Sequence, residues 1–101
     1  MNKREIKKSL KEAIEENPFK KEIKRISLFG SYLNGKPKKD SDVDLLIEFL
    51  PSSRIGFFKL VNIQNAIEHH VGKKIDLLTP ESISKYFRAK VLKQAEIIYE
   101  R

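Results

Sequence analysis

The stretch LFGSYLNGKPKKDSDVDLLIEF, residues 28–49, decides how this chain folds. It begins at the end of a short apolar run, turns at Gly30 and Ser31, crosses a basic loop, and enters a second apolar run that opens with Asp42 and Asp44. Short apolar runs bounded by glycine are typical of buried strands. The stretch therefore predicts two strands, joined by a turn with at most one helical turn over residues 31–34 and by a loop.

Helices are predicted on both sides of this stretch, because apolar residues recur there at intervals of three and four. One helix is predicted over residues 3–17, ending where Asn17 precedes Pro18, and a second over residues 55–71, ending at Gly72. The side chains of the second helix predicted to be buried are Phe57, Leu60, Ile63, Ala66, Ile67 and Val71.

The remaining elements complete an α/β pattern. Strands are predicted over residues 25–29, 42–49 and 73–79, and Thr79 followed by Pro80 predicts the start of a helix. That helix is expected to break near Phe87 or Arg88 and to resume over residues 89–94. The run EIIY, residues 96–99, fits either helix or strand, and a short final strand is the preferred interpretation. The predicted fold is a small mixed sheet flanked by helices, forming one domain over residues 1–101.

Composition narrows the class of protein. There is no cysteine, so a disulfide framework and a thiolate metal site are excluded. The first ten residues are charged, and no apolar run approaches the roughly 20 residues that a membrane span needs, which predicts a soluble, cytoplasmic protein. The net charge of +7 favours anionic partners, whether nucleic acid, nucleotide or acidic protein, although many of these lysines are equally well explained as a solvated surface.

Three carboxylates are the candidate catalytic and metal-binding residues. Asp42 and Asp44 are two apart on a strand, so both side chains lie on one face about 6.5 to 7 Å apart. Two close anions repel each other, and Mg²⁺ or Mn²⁺ bound together with a nucleoside triphosphate would relieve that repulsion. Asp76 lies in the next strand, KIDLL, where pairing beside DVDLL would bring it to the same face. Three carboxylates on adjacent strands can hold two metal ions.

The Gly30–Ser31 turn and the basic loop are the candidate phosphate-binding residues. Glycine lets the backbone approach phosphate closely, and amide groups at the start of a helical turn point at the anion. Among the loop lysines, Lys36 and Lys39 are the preferred phosphate ligands and Lys38 is a third candidate. A solvated loop is the alternative for most of them.

Gly30–Ser31, ten intervening residues and then Asp42-x-Asp44, each half beside a strand, resembles the signature of the DNA polymerase beta nucleotidyltransferase superfamily. The chain length is similar to that of the minimal nucleotidyltransferases (MNT). The resemblance implies that Asp42 and Asp44 bind the metal ions and that Asp76 is a third ligand or the general base. It also implies ATP as substrate and a HEPN toxin as partner, whose tyrosine receives AMP. Where many relatives carry Arg, Lys or Thr, this chain has Asn34.

Other sites and functions are weaker fits to these residues. A P-loop is excluded because Pro37 replaces the hydroxyl residue, and a calcium loop because Leu45 and Pro51 stand where glycine and glutamate are required. A non-catalytic antitoxin that masks its partner remains an alternative, as does a nucleic-acid-binding module. The oligomeric state, homo- or hetero-oligomer, is left open.

His69 and His70, near the end of the second predicted helix, are assigned no catalytic role. The aromatic residues Phe57, Phe58 and Phe87 are expected in the core or against a partner.

Overall fold

The computed structural model describes residues 2–35 and 41–101. Within these ranges a single sheet is flanked by helices, which confirms the predicted α/β fold class. The helices are α1 (Lys3–Glu15), α2 (Phe57–Val71) and α3 (Lys85–Gln94), and the strands are β1 (Ile23–Phe29), β2 (Val43–Phe49), β3 (Ile75–Leu78) and β4 (Glu96–Glu100). Short 3₁₀ turns precede β1 and α3, at Lys20–Glu22 and Pro80–Ser82. No helix in the described ranges has the length and apolar content needed to cross a membrane.

The sheet is mixed and has the strand order β3-β2-β1-β4. Strand β1 pairs antiparallel with β2 and with β4, whereas β2 and β3 are parallel and are joined through α2. The two parallel strands therefore begin at the same edge of the sheet. This topology places the start of β2 directly beside the start of β3.

The hydrophobic core lies on one face of this sheet. Val43, Leu45 and Ile47 alternate along β2, are fully buried, and belong to one cluster with apolar residues of α1 and α2. The alternation sends Asp44, Leu46 and Glu48 to the opposite face, as predicted. We call this opposite face the site face. The helical residues in the cluster include Ile6, Leu10 and Ile14 of α1 and Ile63, Ile67 and Val71 of α2.

The predicted elements before and after the site are largely confirmed. Helix α1 starts with a capping box, in which the Asn2 side chain accepts from the Glu5 amide and the Glu5 side chain accepts from the Asn2 amide. Helix α2 ends at Gly72, whose φ of 77° is the left-handed conformation expected of a C-terminal glycine. The final strand is present as β4, whereas β1 starts two residues earlier than predicted.

The prediction of one helix from Thr79 with a break near Phe87 or Arg88 is wrong. The chain forms a 3₁₀ turn at Pro80–Ser82, leaves the helical conformation for two residues, and then forms α3, which has no break. Thr79 and Ser82 form a capping box that closes the first turn. Ser84 then accepts a hydrogen bond from the Tyr86 amide and starts a separate helix. The interruption therefore lies ahead of the aromatic residues.

The prediction that Phe57 and Ala66 are buried is also wrong. The core-facing stripe of α2 follows Ile63, Ile67 and Val71, and Phe57 and Ala66 lie to either side of that stripe. Phe57 is 73% exposed, and Phe58 and Phe87 are also exposed, so none of these three aromatic residues belongs to the core. The remaining prediction for them is a role against a partner.

Candidate functional site

The candidate site lies on the site face, where β1 ends and where β2 and β3 begin. Asp44 on β2 is the register partner of Phe29 on β1 and of Asp76 on β3. The predicted pairing of KIDLL beside DVDLL is thus observed, and it places two carboxylates on neighbouring strands, with backbones about 4.8 Å apart. Asp42 immediately precedes β2 and is half-buried.

The carboxylates of Asp42, Asp44 and Asp76 repel one another. Burial raises the pKa of Asp44, and the negative charges of Asp76 and then of Asp42 raise that pKa further. A carboxylate that is partly buried beside two others is costly to ionise. The site therefore favours a positive charge placed among the three carboxylates.

Gly30 is fitted against Asp44. Its φ is 77°, a conformation that favours glycine, and a Cβ atom added to it would lie 2.1 Å from Asp44 Oδ2. Any other residue at this position would have to displace the carboxylate. The sequence predicted a glycine for close approach to phosphate, but this contact with Asp44 depends on the pairing of β1 with β2 and was not predicted.

The turn after Gly30 is held to the body of the protein. The Asn34 amide donates to the Gly30 carbonyl at 3.2 Å, which closes the single helical turn predicted for residues 31–34. Tyr32 is 2% exposed and is part of the hydrophobic core, so it anchors the turn, a role that the sequence pattern did not predict. Ser31 is half-buried, and Asn34 is exposed.

The carboxylates fit a hard divalent cation by their chemistry. Within residues 2–35 and 41–101, no three His, Asp or Glu side chains are already gathered into a ready-made metal cage. Mg²⁺ seldom uses such a cage, because it is commonly bound by one or two carboxylates together with substrate phosphates and water. Asp44 and Asp76, with Asp42 close enough to affect the pKa of Asp44, could supply the protein's share of such a site.

Other candidate residues stand apart from this cluster. Lys36, Lys38 and Lys39, the predicted phosphate ligands of the loop, lie outside the described residues. His70 is placed with Nδ1 3.5 Å from Glu16 Oε2, and His69 is exposed on the same helix. Neither histidine is in the element that carries the aspartates.

Comparisons with known proteins match most of the chain to one family. The model of the family described as "Polymerase beta, Nucleotidyltransferase" matches residues 8–101. A relative from Methanocaldococcus jannaschii, named "Putative protein adenylyltransferase MJ0435", is 34% identical over 94% of this chain and 96% of its own length. The protein adenylyltransferase MntA of Thermococcus cleftensis is 33% identical over 76% of this chain and 74% of its own length.

Solved structures share the fold at lower sequence identity. A structure described as a "putative minimal nucleotidyltransferase" matches with a TM-score of 0.76 at 24% identity, covering 94% of both chains. A toxin–antitoxin structure with AMP-PNP matches with a TM-score of 0.67 at 22% identity, covering all of this chain and 75% of the other. A third, a tri-AMPylated Shewanella oneidensis HEPN toxin in complex with its MNT antitoxin, matches with a TM-score of 0.58 at 20% identity, covering 99% and 71%.

Proposed function

This chain belongs to the polymerase beta nucleotidyltransferase family, and from that membership we propose that it transfers AMP from ATP to a hydroxyl group of a partner protein. Relatives named as protein adenylyltransferases support AMP as the transferred group. The likeness to toxin–antitoxin complexes supports a HEPN toxin as the partner. A tyrosine of that toxin is the proposed acceptor, in line with the family resemblance of the sequence. Under this proposal the chain is an enzymatic antitoxin.

The observation that carries the proposal is the position of Asp44, between Gly30 and Asp76. Asp42 and Asp44, with Asp76 as a third ligand or as the general base, would hold Mg²⁺ or Mn²⁺, which when bound polarises phosphoryl oxygens and offsets the charge of the triphosphate. The backbone amides that follow Gly30 would hold phosphate oxygens at the start of the turn. Lys36 and Lys39 would add cations to the same phosphates.

The proposed reaction is an in-line displacement at the α-phosphorus of ATP. The acceptor hydroxyl oxygen forms a bond to the α-phosphorus as the bond from phosphorus to the pyrophosphate oxygen breaks, and pyrophosphate leaves. The proton of the hydroxyl passes to the carboxylate of Asp76, which acts as general base. Its place on the strand beside Asp44 keeps that base next to the carboxylates that would hold the metal.

The proposal is tested with purified protein, ATP, Mn²⁺ and the HEPN protein encoded in the same genome. The intact mass of the HEPN protein is expected to rise by one or more AMP groups, and Asp42→Asn with Asp44→Asn is expected to abolish the gain. Glu81→Gln is the matched control, because it removes an exposed acid from the 3₁₀ turn before α3. An unchanged mass with the unsubstituted chain would contradict the proposal.

The same variants separate catalysis from masking. If the doubly substituted chain protects cells from the HEPN protein as well as the unsubstituted chain does, the protein neutralises its partner by binding alone. If protection is lost together with AMP transfer, the carboxylates act chemically. A nucleic-acid-binding module would instead show affinity for oligonucleotides that falls steeply with salt and ignores both aspartates.

A further inference from the structure

Helix α3 is exposed to an unusual degree. It has 10 residues and contributes no buried side chain, while Tyr86, Phe87 and Leu92 are 83%, 62% and 41% exposed. Isolated helices shorter than about 12 to 15 residues are marginal in water, and most helices in proteins are stabilised by packing an apolar face. Large apolar side chains clustered on an exposed surface mark an interaction site. Helix α3 therefore leaves most of its large apolar side chains uncovered by the rest of this chain.

The exposed residues continue onto the site face. Ile97 on β4 is 49% exposed and pairs with Ser27, which in turn pairs with Leu46, two residues after Asp44 on the same strand. Two strand spacings and two residues along the strand separate Ile97 from Asp44, a distance of roughly 12 Å. We call Tyr86, Phe87, Leu92 and Ile97 the α3 surface.

The charged side chains of α3 itself are all positive. Residues 85–94 contain four cations, Lys85, Arg88, Lys90 and Lys93, and no acid. Tyr86, Lys90 and Lys93 are spaced along the outer side of the helix at i, i+4 and i+7. Arg88 is turned toward the body, where it donates to the carbonyls of Glu81 and Ile83. The other three cations lie among the exposed apolar side chains, and Lys85 Nζ is 5.5 Å from the centroid of the Tyr86 ring.

We propose that the α3 surface is the docking surface for the protein that accepts AMP, and that the acceptor presents apolar side chains with carboxylates among them. The inference rests on the proposed function for the identity of the acceptor. Ile97 marks the end of the α3 surface nearest to Asp44, at roughly 12 Å. A protein interface of ordinary size buries about 800 Å² of each partner, which is enough for an acceptor that reaches Asp44 to contact Ile97 and to extend along α3. A second copy of this chain fits less well, because two α3 surfaces placed face to face would bring their lysines together.

The first test compares two aromatic pairs of similar exposure. Tyr86→Ala with Phe87→Ala removes the two most exposed side chains of the α3 surface, and Phe57→Ala with Phe58→Ala removes a pair that is 73% and 83% exposed on α2. Binding of the HEPN protein is measured by calorimetry without nucleotide. The α3 pair is expected to weaken binding about tenfold or more, as loss of an aromatic anchor does, whereas the α2 pair leaves it unchanged.

The second test addresses charge. Lys90→Glu with Lys93→Glu and Lys8→Glu with Lys11→Glu change the net charge equally, but only the first pair lies beside the α3 surface. The first pair is expected to slow association with the HEPN protein and to reduce its dependence on salt, and the second is expected to have a smaller effect. Equal effects would show that overall charge, and not this surface, guides binding.

Two further measurements distinguish failure of the docking inference from failure of the proposed function. The rise in melting temperature caused by AMP-PNP with Mn²⁺ is expected to be the same in the α3 variant and in the unsubstituted chain, because the α3 surface does not include the carboxylates. If the HEPN protein binds and the α3 pair weakens that binding, but no AMP is transferred, the docking surface stands and the proposed reaction fails.

Three results would overturn the docking inference. One is AMP transfer with unaltered acceptor affinity in the α3 variant. Another is the absence of any binding between the unsubstituted chain and the HEPN protein. The third is an α3 variant that still binds the acceptor but no longer self-associates in sedimentation measurements.

Discussion

Gly30 must be a glycine for both its backbone conformation and its contact with the site, because any side chain at this position would collide with Asp44. The left-handed φ of 77° and the 2.1 Å that would separate an added Cβ from Asp44 Oδ2 are independent obstacles to substitution. Gly35 has the first obstacle without the second, since its φ is 71° and an added Cβ would have nothing within 4 Å. Substituting each glycine by alanine therefore separates the cost of a left-handed backbone from the cost of the steric contact with Asp44.

Gly35→Ala is expected to lower the free energy of unfolding by about 1 to 2 kcal/mol, the usual cost of placing a side chain in the left-handed region. Gly30→Ala incurs that same cost and must also displace the Asp44 carboxylate, so it is expected to destabilise the fold further and to abolish AMP transfer. Urea denaturation of both variants measures the difference. Equal destabilisation of the two variants would show that the Asp44 contact is relieved without cost.

Asp44→Asn is expected to stabilise the metal-free protein while removing activity. Burial and the charges of Asp76 and Asp42 raise the pKa of Asp44, so its ionised form opposes folding at neutral pH. That opposition is present above the pKa of the folded state and disappears as pH falls below the unfolded value, near 3.8. The melting temperature of the variant should therefore exceed that of the unsubstituted chain at pH 7, with a difference that shrinks toward pH 3.

Divalent cations provide the complementary measurement. Mn²⁺ added at pH 7 is expected to raise the melting temperature of the unsubstituted chain, because a bound cation relieves repulsion among the carboxylates and binds only the folded state. In Asp44→Asn this increase should be much smaller. An equal increase in both proteins would place cation binding away from Asp44.

Ion pairs connect α1 with β4, although the two elements are far apart in the sequence. Glu96 at the start of β4 lies 3.1 Å from Lys3 Nζ and 2.6 Å from Lys7 Nζ, one helical turn apart on α1. Hydrogen bonds from Lys7 and then from Lys3 lower the pKa of Glu96. The N-terminal helix is thereby connected to the last strand, which pairs with β1.

Glu96→Gln is expected to lower the free energy of unfolding by about 0.2 to 1 kcal/mol at pH 7, because these ion pairs are partly exposed and screened by water and salt. A lowered pKa in the folded state means that the contribution is complete above the unfolded value of 4.5 and is lost as pH falls through the folded value. Urea denaturation of both proteins at pH 7 and at pH 3 should show a smaller difference at pH 3 than at pH 7. A difference of the same size at both pH values would indicate lost packing instead of lost charge.

Periodicity predicted the types of α1, α2 and β2, because alternation along a strand and three-to-four spacing along a helix are local properties of the sequence. The ends of elements were less predictable, since they depend on caps and on pairing. Ser84 starts α3 through a hydrogen bond to the Tyr86 amide, and nothing in the run ESISKYF separates that cap from the one at Thr79. The break in that region was accordingly predicted too late.

The sequence predicted those features of the candidate site that depend only on strand alternation and on the spacing between residues. Asp42 and Asp44 follow from alternation along one strand, and Asp76 from the expected pairing of KIDLL beside DVDLL, a register that only the observed parallel pairing establishes. The burial of Tyr32 and the exposure of Phe57 could not be predicted in this way. Both depend on where the helices and turns end relative to the sheet, which is set by tertiary packing.

At the scale of the whole molecule, stability is unevenly distributed. One buried cluster connects α1, α2 and all four strands, whereas α3 adds no buried side chain to it. Elements that share a core open together, and segments with few buried contacts open locally at lower free energy. The molecule should therefore unfold in one cooperative transition from which α3 is partly independent.

Hydrogen exchange tests this uneven distribution and its connection to docking. Amides of α3 are expected to exchange much faster than those of α1 and α2, because their opening exposes little apolar surface. Binding of the HEPN protein should slow exchange in α3 more than in α2, since a docked partner would cover Tyr86 and Phe87 and hold the helix. Slow exchange in the unbound α3 would contradict the view that this helix lacks a partner. Protection that appears on α2 around Phe57 and Phe58 instead would move the docking surface to the other exposed aromatic pair.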